Sequence, residues 1–180
     1  MSNEWGPSWW GRRLTGAPDW SLVQRGLELS LIVDGQAYSV PIENEDSYQV
    51  RSGLFWTAVT LNAGQSGTLK VGGLPNAQRK TLIAALEHIL SEVRTCEKVN
   101  FLQGEQKLIS EWIQEKSTRE EEAKHQHWWL SHEVQTAIEK ARPTINDRVF
   151  RKYLKDSDVQ KKLGKQALTT LERSLTLWEM

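Results

Sequence analysis

One cysteine, Cys96, stands in 180 residues. A single thiol excludes an internal disulfide and a cysteine-rich zinc site. It fits a reducing compartment, so the expected location is the cytoplasm. No run of 18 apolar residues occurs, and no membrane-spanning helix is expected. The opening MSNEWGPSWWGRR has no apolar core of the kind a secretory leader requires. Net charge is lacking too: 23 basic residues balance 23 acidic ones, so whole-chain charge singles out neither nucleic acid nor a membrane. No repeat or low-complexity tract is evident. What the chain does have is tryptophan, nine in all. Large aromatics dominate core and interface energetics, so some of the nine are expected to serve contacts beyond a small core.

Residues 1–19 set Trp5, Trp9 and Trp10 among Gly6, Pro7, Gly11, Gly16 and Pro18. Glycine and proline at that density argue against a long helix or strand. The segment reads as an arm whose tryptophans tuck against the domain or dock on a partner. Beyond it, Leu27, Leu29, Leu31 and Val33 alternate with Glu28, Ser30 and Ile32, and Asp34-Gly35 suits a two-residue type I′ turn. Tyr38, Val40 and Ile42 follow at period two, with Pro41 at a strand end or edge. Tyr48 and Val50 open another strand, Leu54 to Leu61 the next, and Thr68 to Val71 a last one; Trp20 to Arg25 can add one before them. Between Leu54 and Val59 both faces are apolar or nearly so, which predicts a strand covered on both sides.

The cover follows at once. Leu82, Ile83, Leu86, Ile89, Leu90 and Val93 fall on one side of a helix at 3–4 spacing. So small an antiparallel sheet must curl or take that helix as a lid. The prediction is an α+β fold over residues 20–97, a small PH-like antiparallel barrel, partly open, capped by a C-terminal helix. Residues 98–180 then read as a helical extension. The first helix runs past Cys96 with Gly104 a weak point. A capping box at Ser117 or Thr118 with Glu120 or Glu121 predicts a new helix there, ending near Pro143. Asn146 or Asp147 caps a short helix, and Ser157-Asp158-Val159-Gln160 reads as a further capping box. Leu163, Leu168, Leu171, Leu175 and Trp178 form the final apolar stripe.

The run from Ile42 through RSGLFW, TAVTL, SGTLKVGGL and AALEHIL resembles the N-terminal domain of bacterial DNA helicase IV-type proteins, over roughly residues 20–95. Gly53, Leu54, Trp56, Leu69, Val71, Gly73 and Leu74 carry the pattern; Thr57 stands where the family often has a second glycine. The resemblance implies a module that precedes a superfamily 1 motor unwinding DNA with ATP. No G-x-x-x-x-G-K-[ST] occurs in this chain, and Leu163-Gly164-Lys165-Gln166 lacks both the upstream glycine and the hydroxyl residue.

No catalytic constellation is visible and no cofactor is implied, so the chain is expected not to be an enzyme. His125, His127 and His132 are close in sequence, but a spacing of two turns side chains roughly 200° apart on a helix, so no metal site is predicted. Glu120, Glu121 and Glu122 read as a solvated face at a helix start, and Cys96 as an inert thiol. The C-terminal segment is the exception in charge. Arg148, Arg151, Lys152, Lys155, Lys161, Lys162 and Lys165, with Arg173, outnumber Asp147, Asp156, Asp158 and Glu172. The first seven are the candidate nucleic-acid residues. Arg51, Lys70, Arg79 and Lys80 are a second, weaker group. Trp5, Trp9, Trp10, Trp128, Trp129 and Trp178 are the candidate interaction residues. The leading expectation is an accessory module that contacts DNA, packs on a motor in the same or another chain, or both. The alternative is a protein-interaction or homo-oligomerisation module, pairing through a heptad-like seam of Leu168, Leu171, Leu175 and Trp178.

Overall fold

The computed structural model describes residues 2–124 and 128–180, with side chains from Asn3 to Glu122 and from His132 onward. The fold is α+β. Seven strands form two antiparallel sheets: β1 (Ser2–Trp5), β2 (Trp20–Arg25), β3 (Glu28–Val33) and β4 (Gln36–Ser39) in one, β5 (Tyr48–Ser52), β6 (Trp56–Asn62) and β7 (Thr68–Pro75) in the other. Neighbours in each sheet are consecutive in sequence, and the sheets do not close into one barrel. The helices are α1 (Trp9–Thr15), α2 (Asn76–Lys124), α3 (Trp128–Lys140), α4 (Asp147–Leu154) and α5 (Ser157–Glu179). The chain divides into two compact units, Met1–Arg94 and Thr95–Met180.

In the first unit the hairpin signals hold. Asp34 and Gly35 both take positive φ, 49° and 82°, as a type I′ turn requires. Period two buries Leu22, Leu29 and Leu31 on one face, with Leu22 opposite Leu31 across the ladder. The second sheet buries Val59, Leu61, Val71 and Leu74. Leu82, Leu86, Ile89 and Leu90 of α2 lie in one cluster with residues of both sheets, and Val93 packs against it. The start of α2 is pinned to the strands. Asn76 donates to the carbonyls of Gly53 and Leu54 at 3.1 and 3.2 Å and accepts from the Thr57 hydroxyl at 2.7 Å.

Residues 2–15 are short elements tied into this unit. Strand β1 pairs with β2, and α1 is capped by Ser8, whose hydroxyl accepts from the Gly11 amide. Helix α1 lies against β7 at a glycine pair: a Cβ on Gly11 would fall 2.3 Å from the Gly73 carbonyl oxygen. Trp5 and Trp20 are buried, and each indole N–H finds a partner, the Thr81 hydroxyl at 3.1 Å and the Gly72 carbonyl at 2.8 Å.

Three sequence readings change. The strand expected from Leu54 begins at Trp56. Gly53 N–H donates to the Trp56 carbonyl at 2.7 Å and closes a tight turn, which leaves Leu54 and Phe55 at its tip, 85% and 68% exposed. No new helix starts at Ser117 or Thr118, because α2 runs unbroken through both and through Gly104. The Thr118 hydroxyl donates to the carbonyl of Gln114, four residues back, so it serves inside the helix and not at a cap. Glu120, Glu121 and Glu122 are exposed as expected, but far from the helix start. The predicted cap of α5 moves by one residue, to Asp156.

In the second unit, Leu102 and Ile109 of α2 share a cluster with Ile145, Phe150, Leu154, Val159, Leu171 and Leu175. Asn146 caps α4 by accepting from the Val149 amide, and α5 is interrupted at Gly164, whose φ of 75° breaks the helical path. The Asp156 carboxylate accepts from the amides of Asp158 and Val159 and holds the Lys98 ammonium at 2.5 Å. The hydrogen bond from Lys98 is the largest influence on its pKa, which lies below the ordinary carboxylate value. A carboxyl with a lowered folded pKa adds stability above its unfolded value, and that stability is lost as pH falls through the folded value. Asp156→Ala should therefore cost about 1–2 kcal/mol at neutral pH, the range for a lost helix cap. In urea titrations the gap between wild type and variant should begin to narrow below about pH 4 and shrink further as pH falls through the lowered folded value. A gap that persists in acid would contradict this role.

Candidate nucleic-acid interface

Helix α4 decides where the C-terminal cations go. Phe150 and Leu154 are buried. Arg148, Arg151, Lys152 and Lys155 stand at i, i+3, i+4 and i+7, one stripe on the opposite side, and all are exposed. Arg151 pairs with the Glu179 carboxylate, a residue the sequence reading leaves out of the charge balance. Arg151 and Lys155 also line a groove of about 300 Å³ with Glu172 and Glu179, so its charge is mixed. Arg148, Lys152 and Lys155 have no ion pair among the described residues. On α5, Lys161 pairs with Asp158 at 3.5 Å, Lys162 is engaged, and Lys165 is exposed without an ion pair among the described residues. Three cations on one face of α4 are thus the core of this candidate; Arg151 and Lys161 are partly neutralised.

The tryptophans separate into two kinds. Trp5 is buried in the core and has no surface to offer a partner, which corrects its place among the interaction residues. Trp178 is half-buried against the second core, stacked under the Arg142 guanidinium at 4.7 Å, and its carbonyl accepts from Arg142. The same guanidinium lies 5.5 Å from the Trp112 ring. Leu171 and Leu175 are buried in that cluster, with Leu168 packed on it, so the proposed oligomer seam is already occupied within the unit. Trp9 and Trp10 are exposed, edge to face at 4.5 Å, with the Arg13 guanidinium 5.5 Å over Trp9. Trp128 and Trp129, expected as interaction residues, and His125 and His127, where no metal site is expected, lie outside the described side chains. Among the described residues, no group of three His, Cys, Asp or Glu could hold a metal, and no helix is long and apolar enough to cross a membrane.

The chain matches the model of the family described as DNA helicase IV / RNA helicase N terminal, over residues 3–179. It belongs to this family. No curated protein and no solved structure matches it. The match runs well beyond the stretch of about 20–95 on which the sequence likeness stands. A helicase IV N-terminal domain therefore includes both the short elements before β2 and the helices after Arg94. Those helices escape a pattern reading because their apolar stripes are generic, whereas the Gly-Leu-x-Trp turn and the Gly-Gly-Leu end of β7 are not.

Proposed function

We propose that this helicase IV N-terminal domain is an accessory module that grips nucleic acid by its phosphates through the exposed face of α4. It has no catalytic centre of its own and works in the cytoplasm beside a motor. One observation carries the reading: Arg148, Lys152 and Lys155 stand on one helix face without carboxylate partners among the described residues. Uncompensated cations a turn apart suit successive phosphates, and each contact releases counterions. A PH-like architecture is the fold that goes with it: four strands, three strands, then a helix sealing them.

The test is fluorescence anisotropy of labelled forked DNA at low and high salt. The triple variant Arg148→Gln, Lys152→Gln, Lys155→Gln should bind about tenfold or more weakly at low salt. Its log–log salt slope should be shallower by roughly two to three. Unchanged affinity and slope would exclude α4 as the phosphate-binding face.

A further inference from the structure

Outside α4, the first unit holds a surface of a different character. From Ser47 to Leu86 the sequence has Arg51, Lys70, Arg79 and Lys80 and no aspartate or glutamate. All four are exposed, and none has an ion pair among the described residues. The ladder places two of them on the outer face of the second sheet. Val50 opposes Val59, whose other neighbour is Val71, and this set turns inward to the core. Arg51 opposes Ala58, and Lys70 opposes Thr60, so this alternate set faces out. The other two cations follow Asn76, the residue that pins the start of α2 to the tip between β5 and β6.

Aromatic side chains border the same face. A groove of about 510 Å³ is lined by Arg51, Phe55, Trp56, Ala58, Gly72 and, from α1, Thr15. Its lining includes no carboxylate. Phe55 stands out at the tip, and α1 carries Trp9 and Trp10 at 58% and 59% exposure. The stacking of α1 on β7 through Gly11 and Gly73 fixes that helix beside the sheet. Exposed rings on the β5–β6 tip and on α1, the helix that contributes Thr15 to the groove, are the kind of apolar surface that marks a contact.

We propose that the outer face of the second sheet, with the β5–β6 tip and α1, is a platform for single-stranded nucleic acid. Bases stack on Phe55 and the α1 tryptophans, and phosphates meet Arg51 and Lys70. The argument for this occupant is complementarity of two kinds. A polyanion matches a face with cations and no carboxylates, and unstacked bases match exposed rings, because every base has a π-face. A duplex hides its bases and can use the cations alone. The platform would let the module discriminate single strands from duplex, which α4 by itself does not do. It adds a second surface to the phosphate grip proposed above and stands on different residues.

The experiment uses the full chain, with labelled oligo(dT) and a duplex of equal length in parallel titrations. Phe55→Ala with Trp10→Ala changes only exposed side chains, so circular dichroism should be unaltered. Affinity for oligo(dT) should fall about tenfold or more, the scale of losing stacked bases, while duplex affinity and the salt slope stay put. Arg51→Gln with Lys70→Gln should instead flatten the salt slope for oligo(dT). Equal loss for oligo(dT) and duplex in the aromatic variant would overturn the proposal. So would unaltered oligo(dT) binding there, whether or not the α4 variant has lost affinity. Quenching of tryptophan fluorescence by poly-glutamate but not by oligo(dT) would assign the face to an acidic protein partner and likewise overturn it.

Discussion

Phe150→Ala should destabilise the second unit by about 3–5 kcal/mol, the range for removing a fully buried phenyl ring. Phe150 has no exposed surface and sits among Leu102, Ile109, Leu154, Val159, Leu171 and Leu175. These come from α2, α4 and α5, so the ring is the shared filler between three helices, and α4 holds it by a single pair of turns. A helix of 8 residues cannot stand alone in water; burial of Phe150 and Leu154 is what keeps α4 in place. The loss is large against a total stability of about 5–15 kcal/mol. With a urea m-value of about 1–3 kcal/mol/M, the unfolding midpoint of this unit should drop by at least about 1 M. Phe150→Leu, which keeps most of the volume, should cost much less. A midpoint unmoved by the alanine change would mean that the ring does not hold α4. The cation stripe depends on the same packing, so the alanine variant should also weaken the phosphate binding proposed for α4 before the unit unfolds globally.

Leu86→Ala tests the other core and should cost about 2–5 kcal/mol. Leu86 is fully buried in the cluster where α2 covers both sheets. Its neighbours there include Leu22, Leu31, Val59 and Leu74, residues that a small sheet cannot shield from water on its own. A deleted side chain at this place leaves a cavity bounded by rigid ladders, and rigid surroundings relax least. The expected readout is near-ultraviolet circular dichroism of the tryptophans, because Trp5 and Trp20 pack in the same cluster. Their signal should melt earlier in the variant. A Leu86→Ala protein with wild-type stability would show that the lid contributes nothing to the sheets, against the packing seen.

The two cores differ in how far a reader of the sequence can reach them. Asp34-Gly35 carries its own turn chemistry, and Leu29 and Leu31 carry their own period, so the first hairpin follows from local rules. The stripe of Leu82, Leu86 and Ile89 likewise dictates a covered helix. Local rules misled at Leu54 and Phe55, where apolar character suggested burial. Ser52-Gly53 signals a turn in the sequence, but only the bond from Gly53 to Trp56 shows that the turn takes in Leu54 and Phe55, and a two-residue tip has no room to bury either. They misled again at Thr118, since a hydroxyl followed by glutamates is compatible with a cap and with a helix interior alike.

The candidate sites divide in the same way. The letters show that the C-terminal segment is basic, but that Arg148, Lys152 and Lys155 share a face follows only once Asn146 is seen to cap α4 and fix its phase. That Glu179 reaches Arg151 was not legible either, because the two are 28 residues apart and meet only through the packing of α4 and α5. The acid-free span from Ser47 to Leu86 can be counted from the letters, but its meaning depends on the ladder that turns Arg51 and Lys70 outward. The amino-acid order alone thus determined the α+β class, the first hairpin and the sealing helix, since each follows from spacing over a few residues, and it carried the resemblance that pointed to the family. Tertiary structure decided which tryptophans of the described residues are core and which are surface, that α2 runs on through Ser117 and Thr118, and which described cations go unpaired. Those depend on contacts between residues far apart in the chain, and no local pattern encodes them.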